Sequence, residues 1–230
     1  MTDGSDPSGR LRRVKPLPHP SRVESVALPS GPIELWRPPR AEELLNEMIE
    51  GPFDPDEKLP YWADLWPAAI GLAEAIDEGV VSLEAGEPCV ELGCGLGLVS
   101  LAAARCGARP MATDWIEDAL AYTRASAELG GFEIETRLLD WRSPPPDLDP
   151  RLVLASDVLY EARNAPWLRA LLDRWRKPGF ECWLADPGRA HASSFLDALT
   201  DWKLERIRRP VEHPLLPTGR ATITLVRIAN

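Results

Sequence analysis

The chain has 230 residues, 44% of them hydrophobic and 27% charged, a balance that suits one globular domain with a real core. A formal net charge of −10 and a pI of about 4.9 argue against nucleic acid as a partner, because phosphate binding usually leaves a basic footprint. No apolar run reaches the roughly 18 to 20 residues that cross a bilayer, and the N-terminus has no apolar signal core, so a cytoplasmic monomer without a membrane partner is expected.

Residues 1–20 are rich in Gly, Ser and Pro and carry Arg10, Arg12, Arg13 and Lys15, the composition of a disordered basic tail. The domain proper is expected over 21–230. It opens with a hairpin over 22–37, where two apolar stretches flank ProSerGlyPro. An acidic, helix-prone stretch follows over 40–50. Pro67 to Glu78 reads as a helix, with proline in the first turn and Gly79 at its end.

A regular alternation then begins. Cys89 to Leu92 is a short buried strand, Leu98 to Cys106 a helix, Arg109 to Thr113 a strand ending at Asp114, and Ile116 to Leu129 a helix stopped by Gly130 and Gly131. Ile134 to Leu139 is a third strand, ending at Asp140. After a proline-rich loop come a strand at Leu152 to Ser156, a helix at Pro166 to Lys177, a strand at Glu181 to Ala185 and a helix at Ala192 to Trp202. Lys203 to Val211 and Ala221 to Ile228 are too close in sequence for a parallel crossover, so they form an antiparallel hairpin. Strands alternating with helices predict a mainly parallel sheet covered on both faces, with ligands gathered at the carboxyl ends of its strands. Cys89, Cys94, Cys106 and Cys182 lack CxxC spacing and sit in apolar contexts, which suits buried thiols.

The stretch ProCysValGluLeuGlyCysGlyLeuGlyLeuVal at 88–99 runs a strand into glycines and then a helix. It is not a P-loop, because no GlyLysSer/Thr follows. It also misses the dinucleotide fingerprint, whose last glycine is Leu98 here. Its pattern is Glu91, Gly93, Gly95, Gly97, with Cys94 inside it. A pyrophosphate on this turn would be repelled by Glu91, whereas a cationic ligand with hydroxyls tolerates carboxylates. Asp114 lies 17 residues beyond Gly97, at a strand end where an acid accepts hydrogen bonds from ribose hydroxyls. Asp140 ends the next strand, and Trp141 beside it can lie against a purine. Taken singly, a glycine turn is often only a turn and a strand-end Asp only a helix cap. Together they point to S-adenosylmethionine, with S-adenosylhomocysteine as product.

These residues resemble the class I, seven-strand methyltransferases that use S-adenosylmethionine, and the resemblance spans about residues 22 to 230. ProTyrTrpAlaAspLeuTrpProAla at 60–68, SerAspValLeuTyrGlu at 156–161 and AlaAspProGlyArgAla at 185–190 narrow it to methyltransferase family 16, mostly protein-lysine methyltransferases. The branch acting on the β subunit of electron transfer flavoprotein is the most similar in these motifs, although the basic tail and the triple proline at 144–146 are foreign to it. The resemblance implies a Rossmann-like seven-stranded α/β sheet with helices on both faces and a C-terminal antiparallel hairpin. It implies a cofactor site of Trp66, Glu91, Gly93, Cys94, Gly95, Gly97, Asp114, Trp115, Asp140, Trp141 and Ser156. Asp157 and Tyr160 are implied at the transferred methyl group. Tyr61 and Trp62, for their aromatic faces, and Arg189, whose loop after the fifth strand lies at the ligand edge of the sheet or simply stabilises it with Asp186, are the further candidate substrate contacts.

Methyl transfer from a sulfonium is an in-line displacement that aligns nucleophile, carbon and sulfur. It requires no metal, and the sequence offers no metal-ligand cluster. A lysine amine, of pKa about 10.4, is neutral in roughly one molecule per thousand at physiological pH, so the site must desolvate or deprotonate it. Asp157 is the candidate for binding and aligning the amine, although alone it would oppose proton loss. Tyr61, Trp62 and Tyr160 offer aromatic faces to a cation, and equally ordinary packing. The expected activity is protein-lysine N-methylation, the partner being a protein with a target lysine. The alternatives are methylation of a small amine or nicotinamide-like metabolite, and an inactive cofactor-binding partner protein.

Overall fold

The computed structural model describes residues 16–48, 59–216 and 218–230. Arg10, Arg12, Arg13 and Lys15 of the basic tail, and the end of the acidic stretch after Met48, lie outside the described residues. The elements are β1 (Arg22–Val26), β2 (Ile33–Arg37), α1 (Ala41–Met48), a single 3₁₀ turn (Pro60–Ala63), α2 (Pro67–Asp77), β3 (Pro88–Leu92), α3 (Leu98–Arg105), β4 (Arg109–Asp114) and α4 (Glu117–Gly130). They continue as β5 (Glu135–Leu138), β6 (Leu152–Ser156), α5 (Asn164–Trp175), β7 (Glu181–Asp186), α6 (Ala190–Ala198), β8 (Lys203–Glu212) and β9 (Arg220–Ala229).

Seven strands form one sheet in the order β5-β4-β3-β6-β7-β9-β8. The first five strands are parallel, and β9 enters antiparallel between β7 and β8. This is the Rossmann-like sheet with a terminal hairpin that the alternation predicts. Its central strands are continuous apolar runs because helices cover both faces. Period-two alternation divides them: Cys89, Leu154, Trp183 and Leu225 face α2, α3 and α4, while Val90, Val153, Cys182 and Val226 face α5 and α6. Edge strand β8 carries exposed Arg206 and Arg208 and ends near Pro210, features that deter further strand pairing. β1 and β2 form their own two-stranded sheet, which docks on α4 through a hydrogen bond from Trp36 N–H to Ser126 Oγ at 2.9 Å.

Several boundaries differ from the sequence reading. Helix α5 begins at Asn164, which puts Pro166 third in the helix, still within the turn whose N–H groups have no helical partner. Helix α6 stops at Ala198, because Leu199 leaves helical backbone and both it and Trp202 turn into the core beneath α5. Asp140 lies two residues past the end of β5. Packed chain begins before residue 21. Ser21 Oγ is hydrogen bonded to Tyr122 OH at 2.6 Å, and the His19 ring lies 6.1 Å from that of Trp62. His19, within the stretch expected as tail, thus contacts the domain. Cys89, Cys94 and Cys182 are buried free thiols and Cys106 is half-buried.

Candidate functional site

Strand order reverses between β3 and β6, where one crossover runs towards β4 and the other towards β7. A crevice opens at such a point beyond the carboxyl ends of the strands. It holds a cavity of about 330 Å³, in the range of small-molecule sites. Of the residues singled out in the sequence, Tyr61, Trp62, Trp66, Gly93, Cys94, Gly95, Asp114, Trp115, Asp140, Trp141, Ser156, Asp157, Tyr160 and Arg189 line it. Glu91 and Gly97 do not.

The glycine loop explains both exceptions. Gly93, Gly95 and Gly97 have φ of 65°, 52° and 79°, in the left-handed region that side chains resist. A Cβ on Gly97 would lie 2.6 Å from the Thr123 side chain, so this glycine lets α3 start against α4 and meets no ligand. A Cβ on Gly95 would come within 3.2 Å of the Trp62 carbonyl, and the bare backbone there is the wall of the cavity. Glu91 is 1% exposed and shares the face of Cys89, turned towards α3. Its carboxylate accepts hydrogen bonds from Ser100 N–H, at 2.9 Å, and from the Ser100 hydroxyl. It thus satisfies an otherwise unpaired amide in the first turn of α3. Burial pushes its carboxyl up to about 8, against the lowering effect of those bonds. The expectation that Glu91 faces the ligand is corrected by strand parity: it supports the loop from behind.

Asp114 closes the loop from the front. Its carboxylate accepts from Gly95 N–H and Ile116 N–H, both at 3.0 Å, which joins the glycine turn to the end of β4. Asp140 holds Arg142 through both oxygens, and the Arg142 guanidinium lies over Trp115 at 5.5 Å and over Trp167 at 5.8 Å. Arg142 and Trp167 line the cavity and were not singled out in the sequence. Their association spans β5, β4 and α5, and no local spacing signals it.

At the other end of the cavity, Asp157 follows β6 with φ 53°, the left-handed conformation that Asp tolerates better than most residues. Its side chain is 3% exposed, and its two oxygens accept from Nε and Nη2 of Arg189, each at 2.9 Å. This pair holds the Arg189 guanidinium 5.7 Å from the centre of the Trp66 ring. Asp186 accepts from the N–H groups of Gly188 and Arg189 at 2.7 Å and so shapes the turn that presents Arg189. Tyr61 and Tyr160 meet edge to face at 5.4 Å, and their rings are 38% and 41% exposed at the mouth. Burial of its hydroxyl end, with Glu161 and Asp114 adding to it, pushes Tyr160 up to about 12, so it is a neutral phenol. Trp62 is 9% exposed and its ring packs 5.4 Å from Tyr122, behind the loop. Its ring is thus a packing element of the cofactor end and not part of the mouth.

Does this cavity fit the group that the sequence implies? Bare backbone at Gly93 and Gly95, a strand-end carboxylate at Asp114 and the indoles of Trp115 and Trp141 meet the needs of a nucleoside with hydroxyls. Residues 61–202 match the family model described as lysine methyltransferase. The chain belongs to that family. It is therefore an S-adenosylmethionine-dependent methyltransferase of class I fold.

Solved structures agree on the fold. The chain is similar to a T. thermophilus 16S rRNA N2 G1207 methyltransferase, in complex with AdoMet and guanosine, at 15% identity and TM-score 0.63, over 94% of this chain and 52% of that one. It is also similar to a precorrin-6y C5,15-methyltransferase of Geobacter metallireducens, at 15% identity and TM-score 0.54, over 67% and 85% of the two chains. A third is the magnesium protoporphyrin IX methyltransferase of Synechocystis with bound SAH, at 15% identity and TM-score 0.52, over 71% and 84%. No curated protein sequence matches significantly. Acceptors as different as a guanosine and a porphyrin occur on one architecture, so the fold does not name the acceptor. No described helix is long and apolar enough to cross a membrane. Among the described residues no group of three His, Cys, Asp or Glu side chains is placed to hold a metal ion.

Proposed function

We propose that the protein transfers a methyl group from S-adenosylmethionine to a lysine amine of another protein. The observation that carries this reading is the Arg189 guanidinium, which rests over the Trp66 face and against Asp157 beside the exposed rings of Tyr61 and Tyr160. A mouth built this way accommodates an alkyl chain with a nitrogen at its tip, since indole and phenol faces attract cations by about 0.5 to 2 kcal/mol. The family description and the net charge of −10 favour a basic protein segment as the acceptor.

When bound, the cofactor supplies a methyl group on cationic sulfur that leaves as a neutral thioether. Gly93, Gly95 and Cys94 would form the wall against its amino-acid tail, Asp114 would accept from the ribose hydroxyls, and Trp115, Asp140 and Trp141 would hold the base. Ser156 and Trp66 border the reacting end. Tyr160 and Tyr61 flank the methylene stem of the acceptor. Asp157 acts through Arg189 in this reading, because its carboxylate is sealed by the guanidinium. Direct binding of the amine by Asp157, expected from the sequence, would have to share oxygens that already accept from Arg189.

The test is transfer of labelled methyl from S-adenosylmethionine into a cell extract, separated into protein and small-molecule fractions. Label in the protein fraction, lost after treatment of the extract with a lysine-blocking reagent, is the expected result. Label confined to small molecules would replace the acceptor with a metabolite.

A further inference from the structure

The Asp157–Arg189 pair bears on how the acceptor loses its proton, an inference that rests on the amine reading just given. An amine attacks only as the free base. A bare carboxylate beside an ammonium raises its pKa and holds the proton, and a cation nearby lowers it. Asp157 sits where that choice matters, at the end of β6 in the floor of the crevice, and Arg189 fastens both its oxygens.

The other acidic groups facing this point have partners of their own. Glu161 is ion-paired with Arg163, Asp64 with Arg37 and Asp140 with Arg142. Asp114 spends its oxygens on the amides of Gly95 and Ile116. Asp186 lies in the turn behind Arg189, where its carboxylate accepts from the amides of Gly188 and Arg189. Tyr160 is an un-ionised phenol. Loss of the Arg189 cation would therefore uncover one further carboxylate charge at the acceptor end. Arg189 itself is fixed from two sides. Its backbone N–H is held by Asp186, and its guanidinium lies against Trp66.

We propose that Arg189 is a positioning residue for proton loss, which neutralises Asp157 so that the incoming ammonium releases its proton to water before transfer. The neutral nitrogen then forms its bond to the methyl carbon as the carbon–sulfur bond breaks. The charge formerly on sulfur ends on the methylated ammonium, so atoms and charge balance.

The experiment is the pH profile of label transfer, from about pH 6.5 to about 9.5, with total extract protein as the acceptor pool. It compares the native enzyme with Arg189→Gln, Arg189→Lys, Asp157→Asn and the Asp157→Asn/Arg189→Gln double variant, each checked by calorimetry for retained S-adenosylmethionine binding. Arg189→Gln is expected to move the rising limb to higher pH by about one unit, a loss of about tenfold on the limb that recovers at high pH. Asp157→Asn is expected to move it to lower pH, the double variant to return it to the native position, and Arg189→Lys to keep it there. If Arg189→Gln and Asp157→Asn slow transfer by one factor at every pH, Arg189 merely holds its loop and the proposal is wrong. If the native enzyme puts no label into protein, the lysine reading fails and this proposal with it. Protein labelling with an unmoved limb refutes only the role of Arg189.

Discussion

The two ends of the cavity are built on opposite plans. At the cofactor end, recognition is entrusted to backbone, and the side chains that matter are tied: Asp114 to two amides, Glu91 to Ser100, Asp140 to Arg142. At the acceptor end, Tyr61 and Tyr160 stand exposed, and the Asp157–Arg189 pair is sealed on its acid side and open on its arginine side. One cofactor of fixed shape rewards preorganisation, because nothing has to be ordered when it binds. The acceptor end instead leaves two aromatic rings open to whatever chain brings the nucleophile.

That contrast can be broken most forcefully at Asp114. Asp114→Ala frees two loop amides and removes the strand-end acid, so calorimetry should show affinity for S-adenosylmethionine falling by about 100-fold or more, about 3 kcal/mol. Unchanged affinity would falsify the cofactor assignment. Glu91→Gln comes next. The carboxyl of Glu91 is raised from 4.5 to about 8 in the folded protein, so its contribution is fully present below pH 4.5 and lost as pH rises through about 8. Thermal melts across that window should show native stability declining with pH. The Gln variant should lack this component. Equal slopes for the two proteins would mean that Glu91 stays ionised throughout. The acceptor end answers to Tyr61→Ala, expected to raise KM for the protein acceptor about tenfold while leaving cofactor affinity within a factor of about two. A parallel loss of cofactor binding would erase the division between the ends. The smallest effect is that of Ser21→Ala, which deletes the bond to Tyr122 and should cost about 1 kcal/mol in a denaturant titration. A change below a few tenths would show that residues 16–21 contribute nothing.

Features encoded within a few neighbouring residues were legible in the sequence. The glycine turn after β3, Asp114 at a strand end, Pro67 opening α2 and the glycines closing α4 each have a local cause, and each was placed from spacing alone. Partnerships were not legible. Arg189 is 32 residues from Asp157, and Ser21 is 101 from Tyr122, so neither pair leaves a pattern in any window. Arg142 lies beside Asp140 in sequence, yet its position follows from Trp115 and Trp167, which only the tertiary fold brings together. Glu91 is an intermediate case. Its alternation with Val90 and Leu92 already places it on the face of Cys89, away from those two. Strand parity, a purely geometric count, therefore decides the direction of this acid where its chemistry suits either face.

The segment before β1 reaches the cofactor cavity from behind. His19 leans on Trp62, Ser21 fastens Tyr122, and Tyr122 backs Trp62, whose carbonyl in turn borders Gly95. These residues form a brace running from the segment ahead of β1 to the wall of the cofactor cavity, without either His19 or Ser21 lining it. A version of the protein trimmed to its first β-strand would keep every motif by which the family is known and still lose the backing of its glycine turn. The working edge of the molecule is thus drawn by two residues that no signature includes.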